Sequence, residues 1–324
     1  MATSRFQGRS GFFCSRRPEG EIRSMLYTDV FSMVGNTPHL QIPGSELPGV
    51  TFHLKLEGCN PTGSVKDRAG VRLIQEALKE GRLRPGMTIL DASSGNMGCA
   101  VAFFGRILGF PTQVVASSKL TEDKRGFMLW FGAGVEKVGD FTIEGNLVCR
   151  ERAEREPERY CFLDQLHSWA NPRAHSEGTG PEILRAFPEV AMVVASLGSG
   201  GTLCGTASYL KEQRPDIVVV AVQAAPGTRL PGTGSFDEGD YVTPFIRKGY
   251  DEKLFDHQIK VTLDDAVART RQLRDLGVFA GLQTGGVYDA ALRTARDLGI
   301  RGDVVVLSGD SGWKNMEKLS ALPV

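Results

Sequence analysis

The chain has 324 residues, a length typical of about two domains. Its 38 Lys and Arg residues balance 38 Asp and Glu residues, and this zero net charge argues against a broad electrostatic grip on nucleic acid or an anionic membrane. A hydrophobic fraction of 41% and a charged fraction of 23% exclude a fully disordered or collagen-like chain. Glycine is unusually frequent at 39 residues, and glycine suits tight turns and close approach of backbone to a ligand.

Residues 1–25 are rich in Arg, Ser and Gly, a composition shared by transit peptides and loosely ordered tails. Glu19 and Glu21 interrupt the basic character, so we expect a flexible tail. The six cysteines form no C-x-x-C pair, which predicts free thiols in a cytoplasmic protein. The longest apolar run, residues 190–197, is too short to span a bilayer, so no membrane span is expected.

From residue 51 onward, strand-like and helix-like segments alternate. The predicted strands are 51–57, 87–91, 111–117, 134–139, 160–164, 190–197, 216–223, 278–281 and 303–309. The predicted helices are 67–81, 99–109, 121–131, 143–155, 202–213, 263–276 and 287–298. Such alternation predicts parallel sheets with helices on both faces.

Glycines cluster directly after five of the predicted strands. They are Gly58, Gly63, Gly95, Gly98, Gly198, Gly200, Gly201, Gly281, Gly285, Gly286, Gly309 and Gly312. Ligands in folds of this kind bind beyond the carboxyl ends of the strands. The pattern therefore predicts a ligand cradle between two sheets.

Three of these loops carry chemistry. The segment 198–202 (GSGGT) lies between a buried strand and a helix, an arrangement that binds phosphate, although a plain tight turn is the alternative. It lacks the third glycine of the dinucleotide fingerprint, because Leu203 occupies that position. The segment 93–98 (SSGNMG) offers hydroxyls and amides at another helix start, which suits a carboxylate or phosphate; a simple capping loop is the alternative.

The third loop, 58–66, resembles a nucleotide-binding P-loop but lacks the required order, because Lys66 does not directly follow Gly63. An NTPase is therefore disfavoured. Lys66 stands at a helix start, where the dipole favours its neutral form. A neutral amine is what a Schiff-base lysine needs, whereas a solvated surface lysine is the alternative.

The motifs together are similar to those of the pyridoxal-phosphate enzymes of fold type II, above all the cysteine synthases (O-acetylserine or O-phosphoserine sulfhydrylases). They occur in the family's order within residues 31–315: GNTP (35–38), NPTGSVKDR (60–68), SSGNMG (93–98), TGPEI (179–183), GSGGT (198–202) and FAGLQTGG (279–286). The resemblance implies an α/β fold of two three-layer αβα domains with mostly parallel sheets and the cofactor in the cleft between them, as in the tryptophan synthase β-subunit. Residues 48–160 are expected to form the smaller domain, and residues 26–47 plus 161–324 the larger one. A homodimer is also implied.

The resemblance further implies the residues that would hold pyridoxal 5′-phosphate. Lys66 would carry it as a Schiff base, Asn96 would bond its 3′-oxygen, and Gly281 would line its other side. Ser311 would face the pyridine nitrogen, with Asp310 as the second candidate. The phosphate would be bound by Gly198, Ser199, Gly200, Gly201 and Thr202.

An amino-acid substrate would be bound by the loop after the second strand and by two more distant residues. The expected substrate-binding residues are Ser93, Ser94, Gly95, Asn96, Met97, Gln165 and Arg229. Arg229 would meet an anionic leaving group such as phosphate, or would be an ordinary solvated arginine.

Three departures from the family pattern bear on the substrate. Ser93 and Met97 replace two threonines, and Gln283 replaces a serine. Trp169 adds bulk near the expected entrance, or serves only in packing.

The reaction implied is β-replacement. A freed Lys66 would remove the α-proton as general base, acetate or phosphate would leave to give an α-aminoacrylate, and a nucleophile, most simply sulfide, would add. The expected product is L-cysteine or a related β-substituted alanine, with a sulfur-carrier protein as an alternative sulfur source.

Two other functions stay open. One is a serine or threonine ammonia-lyase of the same fold, and the other is a non-catalytic regulatory protein that binds pyridoxal phosphate. The segment 60–68 favours the synthase, because dehydratases of this fold usually carry a Ser-Phe-Lys-x-Arg version. The presence of Lys66, Asn96 and Ser311 argues against a non-catalytic protein.

Overall fold

The computed structural model describes residues 27–43, 47–93 and 95–322. The tail expected over residues 1–25 and the role expected for Ser94 lie outside these residues. No helix in the described part of the chain is both long and apolar enough to cross a membrane. Five of the six cysteines belong to the described part, and each is a free thiol.

Most of the predicted strands and helices are present, and the structure adds elements that the sequence pattern did not predict, at 39–41, 170–174, 180–186, 244–251, 257–261 and 316–320. The strands are His39–Gln41 (β1), Val50–Leu56 (β2), Thr88–Ala92 (β3), Thr112–Ala116 (β4), Gly134–Lys137 (β5), Tyr160–Phe162 (β6), Met192–Ser196 (β7), Val218–Ala224 (β8), His257–Val261 (β9) and Gly302–Ser308 (β10). The helices are Lys66–Lys79 (α1), Asn96–Ile107 (α2), Glu122–Trp130 (α3), Thr142–Arg155 (α4), Ala170–Ala174 (α5), Gly180–Ala186 (α6), Gly201–Gln213 (α7), Pro244–Asp251 (α8), Leu263–Asp275 (α9), Leu282–Asp297 (α10) and Met316–Ser320 (α11). A π-helical turn, His175–Thr179, joins α5 to α6.

Two sheets organise these elements. The larger has the order β1-β2-β10-β7-β8-β9 and is parallel except for the β1–β2 pair. Helices α9 and α10 cover one of its faces, and α7 and α8 cover the other. Since its central strands are buried on both faces, they read as continuous apolar runs in the sequence.

The smaller sheet has the order β5-β4-β3-β6 and is entirely parallel. Helices α1 and α2 pack on one face, and α4 packs on the other. Each sheet is thus the middle layer of an αβα unit, which confirms the predicted fold class.

Strand β2 lies in the larger sheet, between β1 and β10, although the sequence analysis assigned residues 48–160 to the smaller domain. Helix α1, which follows it, packs in the core of the smaller unit. The chain therefore crosses between the two units in the turn after β2, and the division into domains as a whole stays a prediction.

The segment 278–281 is not a strand. It makes a single bridge, between Ala280 and Ser311, and α10 begins at Leu282 rather than at residue 287. Gly285 lies inside α10, where α10 packs against α9. A Cβ at this position would lie 2.2 Å from the Ala266 carbonyl oxygen of α9, so glycine allows the two helices to approach this closely. Gly285 and Gly286, which the sequence analysis placed in a loop, therefore lie in a helix and allow it to pack closely against its neighbours.

A buried ion cluster connects α1 to the larger sheet. Arg68 of α1 donates to both carboxylate oxygens of Glu57 (2.7 and 2.8 Å) and to both of Glu182 (2.7 Å each). Lys55 of β2 donates to Glu182 at 2.7 Å. Burial alone would raise the pKa of Glu182, but the Arg68 guanidinium lowers it to about 2. The two carboxylates are therefore charged, and each is paired.

We predict that Arg68→Met lowers the free energy of unfolding by about 3–5 kcal/mol, because the buried Glu57 and Glu182 would both be left with Lys55 as their remaining cation. The matched control is Arg72→Met on the same helix. The Arg72 side chain is 32% exposed in its pair with Glu76, and its removal should cost at most about 1 kcal/mol. Denaturant unfolding of both variants measures the difference, and equal losses would contradict the prediction.

Candidate active site

Three loops of the larger unit meet at one edge of its sheet because their strands, β2, β10 and β7, are neighbours. The loop after β2 leads to Lys66, and the loops after β7 and β10 hold residues 197–200 and 309–311. The Val65 N–H donates to the Gly309 carbonyl at 2.8 Å, which ties the first loop to the third. The three loops enclose a cavity at the carboxyl ends of the strands, as the sequence predicts.

Lys66 is the first residue of α1, and its side chain lines this cavity. Its Nζ donates to Ser199 Oγ at 3.4 Å. Burial lowers the pKa of Lys66 to about 8, although the nearby Asp91 acts in the opposite direction. A larger fraction of the amine is therefore neutral near pH 7 than for a solvated lysine, which is the state that attacks a carbonyl group.

The glycine loop before α7 is shaped by close contacts. Gly200 caps the helix in the left-handed region, with φ of 86°, so the first N–H groups of a 13-residue helix open toward the cavity. A Cβ on Gly198 would lie 2.5 Å from the Gly232 carbonyl oxygen, and one on Gly201 would lie 2.1 Å from Asn171 Oδ1. Glycine avoids these contacts, and the loop, called the cradle below, lines the cavity with a backbone whose N–H groups are able to bind an anion.

A buried histidine, which the sequence analysis did not single out, supports this cradle. His175 is fully buried, and burial lowers its pKa to about 3, so the imidazole is neutral. Its Nε2 lies 3.3 Å from Thr202 Oγ1 and its Nδ1 lies 2.9 Å from Thr179 Oγ1. On the other side of the cradle, Thr243 Oγ1 donates to the Ser199 carbonyl at 2.8 Å. In the sequence, the one indication that His175 belongs to the site is its position four residues before the TGPEI motif (179–183).

Asn96 and Asp310 come together from the two units. Asn96 begins α2 in the smaller unit, and its Nδ2 donates to Asp310 Oδ2 at 2.8 Å. Asp310 is buried, which raises the pKa of its carboxyl group. Asn315 Nδ2 donates to the other Asp310 oxygen at 3.1 Å, and Gly281 leaves room for this contact, since a Cβ there would lie 2.6 Å from Asp310 Oδ1.

Asp310, and not Ser311, lines the cavity that Lys66 enters. Ser311 lines a second cavity together with Gly63 and Lys314. The two candidates for the pyridine nitrogen thus line adjoining cavities, and the choice between them stays a prediction.

Gln283 enters the cavity from the start of α10. Its Nε2 donates to Ser196 Oγ at 2.6 Å and to the Gly232 carbonyl at 3.2 Å. The Gln283 side chain therefore links the end of β7 to Gly232, whose carbonyl group lies next to Gly198. The sequence marks Gln283 as a departure from the family pattern without assigning it a role.

Among the expected substrate-binding residues, Ser93 and Gln165 are buried in the smaller unit beside β3. The Ser93 hydroxyl accepts from the Gly95 N–H at 3.2 Å, and Gln165 Nε2 donates to the Ala92 carbonyl at 2.6 Å. These contacts hold the loop before α2 in shape. Their role toward a substrate stays a prediction.

Two other expected residues are placed elsewhere. The Met97 side chain is buried in the core between α1 and α2, because its position on α2 faces the smaller unit's interior and not the cavity. Arg229 is exposed and acts electrostatically on Glu238. Trp169 packs edge-on against Phe245, with ring centroids 5.0 Å apart, and is 45% exposed, so neither role expected for it is decided.

A glycine cradle for phosphate, facing a partly neutral lysine in the cleft between two αβα units, defines the fold type II class of pyridoxal-phosphate enzymes. The family model described as "Pyridoxal-phosphate dependent enzyme" matches residues 30–310, and the chain belongs to that family.

Individual relatives agree with this assignment. The chain is 34% identical over 281 residues to cysteine synthase B of Pseudomonas aeruginosa, across 85% of this chain and 91% of the relative. It is similar to the crystal structure of cysteine synthase (OASS) from Entamoeba histolytica, with a TM-score of 0.84, 26% identity and 95% coverage of both chains. It is also similar to the structure of O-ureido-L-serine synthase, with a TM-score of 0.83, 25% identity, and coverage of 92% of this chain and 96% of that one.

The residues present fit the family's cofactor. The glycine loop offers backbone amides for a phosphate, and Lys66 offers an amine. Asn96 Oδ1 is buried and has no hydrogen-bond partner among the described residues, so the cavity contains a polar atom that a ligand can satisfy. All three features line one cavity.

We predict that uptake of pyridoxal phosphate by the apoenzyme accelerates with pH about a midpoint near 8, because the reactive neutral fraction of Lys66 rises through that pKa. Stopped-flow absorbance of the protein-bound cofactor across pH 6–10 at constant ionic strength measures it. Lys66→Ala is the control and should give no covalent spectrum. A midpoint close to 10.5, the ordinary value for lysine, would contradict the prediction.

We predict that His175→Ala weakens cofactor binding by about 1 kcal/mol, roughly fivefold in Kd, through the loss of its contact with Thr202. Thr202→Val should weaken binding by a similar or larger amount. If His175 acts through Thr202, the double variant should lose less than the sum of the two single losses. Equilibrium dialysis gives the Kd values, thermal melts check folding, and additive losses would contradict the argument.

Proposed function

We propose that the enzyme is a β-replacement synthase. It would convert an O-activated L-serine, carrying an acetyl or phosphoryl group, and sulfide or a related sulfur donor into L-cysteine or a related β-substituted alanine. The main support for the proposal is the segment 60–68. It forms the turn after β2 and places the Lys66 side chain at the cavity. Relatives named cysteine synthase match over most of the chain and support the same reaction.

The cofactor, when bound, supplies the electron sink that acidifies the α-carbon of an amino acid. The chain's own residues supply binding and proton transfer. The cradle at Gly198–Thr202 would hold the phosphate, and Asn96 and Asp310 would contact the ring. Lys66 Nζ takes the α-proton and returns it to the product, a role for which its lowered pKa is suited.

The loop that begins at Ser93 would receive the substrate carboxylate. Ser93 and Gln165 support this loop from within the smaller unit, and its N–H groups lie at the start of α2, where the helix dipole favours an anion. Arg229 is exposed, so the leaving group would not depend on it. We further propose a cytoplasmic homodimer, for which the free thiols and the family resemblance are the support.

The test is to add O-acetyl-L-serine or O-phospho-L-serine to the holoenzyme. We expect a change in the cofactor's visible absorbance that sulfide reverses, together with formation of cysteine. Lys66→Ala should lose turnover by at least about a thousandfold, since it lacks both the Schiff-base amine and the base. Arg229→Ala is the control and should keep turnover within about twofold.

Two outcomes would overturn the proposal. Release of a keto acid from the serine donor at full rate without any nucleophile would identify an ammonia-lyase. A holoprotein whose spectrum responds to neither donor would indicate a non-catalytic protein. Replacing sulfide by a thiocarboxylate-bearing carrier protein, and comparing rates, identifies the sulfur source.

A further inference from the structure

A second cavity of about 400 Å³ lies between the two units. Its walls are the turn after β2, the first turns of α3, and the segment that follows Asp310. It adjoins the active site through consecutive residues, because Asp310 lines the first cavity and Ser311 lines the second. Among the residues that line this second cavity, Ser311 is a candidate partner of the pyridine nitrogen. The proposed reaction uses none of the others.

The charged residues that line it are two lysines, Lys124 and Lys314, and one aspartate, Asp123. Lys124 of α3 and Lys314 both line it, although they are only 6% and 9% exposed. Lys318 is near enough to Lys124 for the two cations to repel, and burial together with this repulsion lowers the pKa of Lys318. Lys314 Nζ lies 4.4 Å from the centroid of the Phe127 ring.

Two neighbouring carboxylates, those of Asp123 and Glu317, form no ion pair with these lysines in the described part of the chain. Asp123 accepts from the Lys124 backbone N–H at 2.7 Å, and Glu317 accepts from the Glu122 backbone N–H at 2.9 Å. Lys124 Nζ makes no hydrogen bond or ion pair with any residue in the described part of the chain. The Lys124 side chain is only 6% exposed, and it acts electrostatically on the buried Asp310 carboxylate without a direct ion pair. An anion between the two lysines would give Lys124 a direct partner.

We propose that this second cavity is a binding site, separate from the cofactor cradle, for a small oxyanion of the phosphate or sulfate class. The ammonium groups of Lys124 and Lys314 would bind the anion, and Trp313, which is 72% exposed, would stand at the rim. The site is electrostatically linked to the active site, because both lysines also stabilise the Asp310 carboxylate. The inference rests on the cavity itself and does not depend on which reaction the enzyme catalyses.

The test uses the holoenzyme, in which bound cofactor fills the Gly198–Thr202 cradle. Inorganic phosphate is titrated against chloride at constant ionic strength, with isothermal calorimetry and tryptophan fluorescence as the readouts. We expect saturable binding with a Kd on the order of 1 mM or below. Lys124→Met should weaken it at least tenfold. The matched control is Lys137→Met, an exposed lysine on β5 that lies 3.5 Å from Glu122, and it should leave the Kd unchanged.

Trp313→Phe should remove the fluorescence change while the heat of binding persists, which locates the anion at this cavity. Lys314→Met provides a second test should Lys124→Met fail to fold, as judged by its melting temperature and cofactor spectrum. The absence of saturable phosphate binding to the wild-type holoenzyme would overturn the proposal. So would equal losses in the Lys124 and Lys137 variants. Because the readout is binding and not turnover, a failure of the proposed reaction would not affect it.

Discussion

The buried pairing of Arg68 with Glu57 and Glu182 is the interaction on which the active site depends. One guanidinium binds two carboxylates at 2.7–2.8 Å, so α1 is fastened to the turn after β2 and to α6. Lys66 stands two residues before Arg68 on the same helix. Planar, bidentate pairs of this kind define orientation as well as distance. The position of the reactive amine therefore follows from a charge cluster in the protein interior.

The active site is assembled from parts with different requirements. The phosphate cradle needs close backbone approach, and glycine at its tight positions makes that approach sterically feasible. The lysine needs partial desolvation, which the cavity provides. Asn96 of the smaller unit donates to Asp310 of the larger unit across the cleft. The distance between these two side chains therefore depends on how the two units are placed. The zero net charge of the chain is consistent with anions that are bound by local amides and ammonium groups.

Much of this was predictable because its causes are local. Alternating apolar segments predicted the αβα units, and the glycine loops after strands predicted the cavity. The segment 278–281 was predicted wrongly, since a short apolar run with glycines suits a strand equally well and only the packing of α9 against α10 decides for a helix start. Strand β2 was grouped with the smaller domain because sequence order does not reveal which sheet a strand joins.

The sequence by itself determined the fold class and the family, and it singled out Lys66 and the glycine loop 198–202, since each motif is a run of residues close together in the chain. Only the tertiary structure decided that Asp310 and not Ser311 reaches the cavity of Lys66, that the Met97 side chain is turned into the core, and that His175 supports Thr202. It also brought Lys124 and Lys314 to one cavity across 190 positions of sequence. Such facts depend on the direction of side chains and on contacts between distant segments, which residue order does not specify.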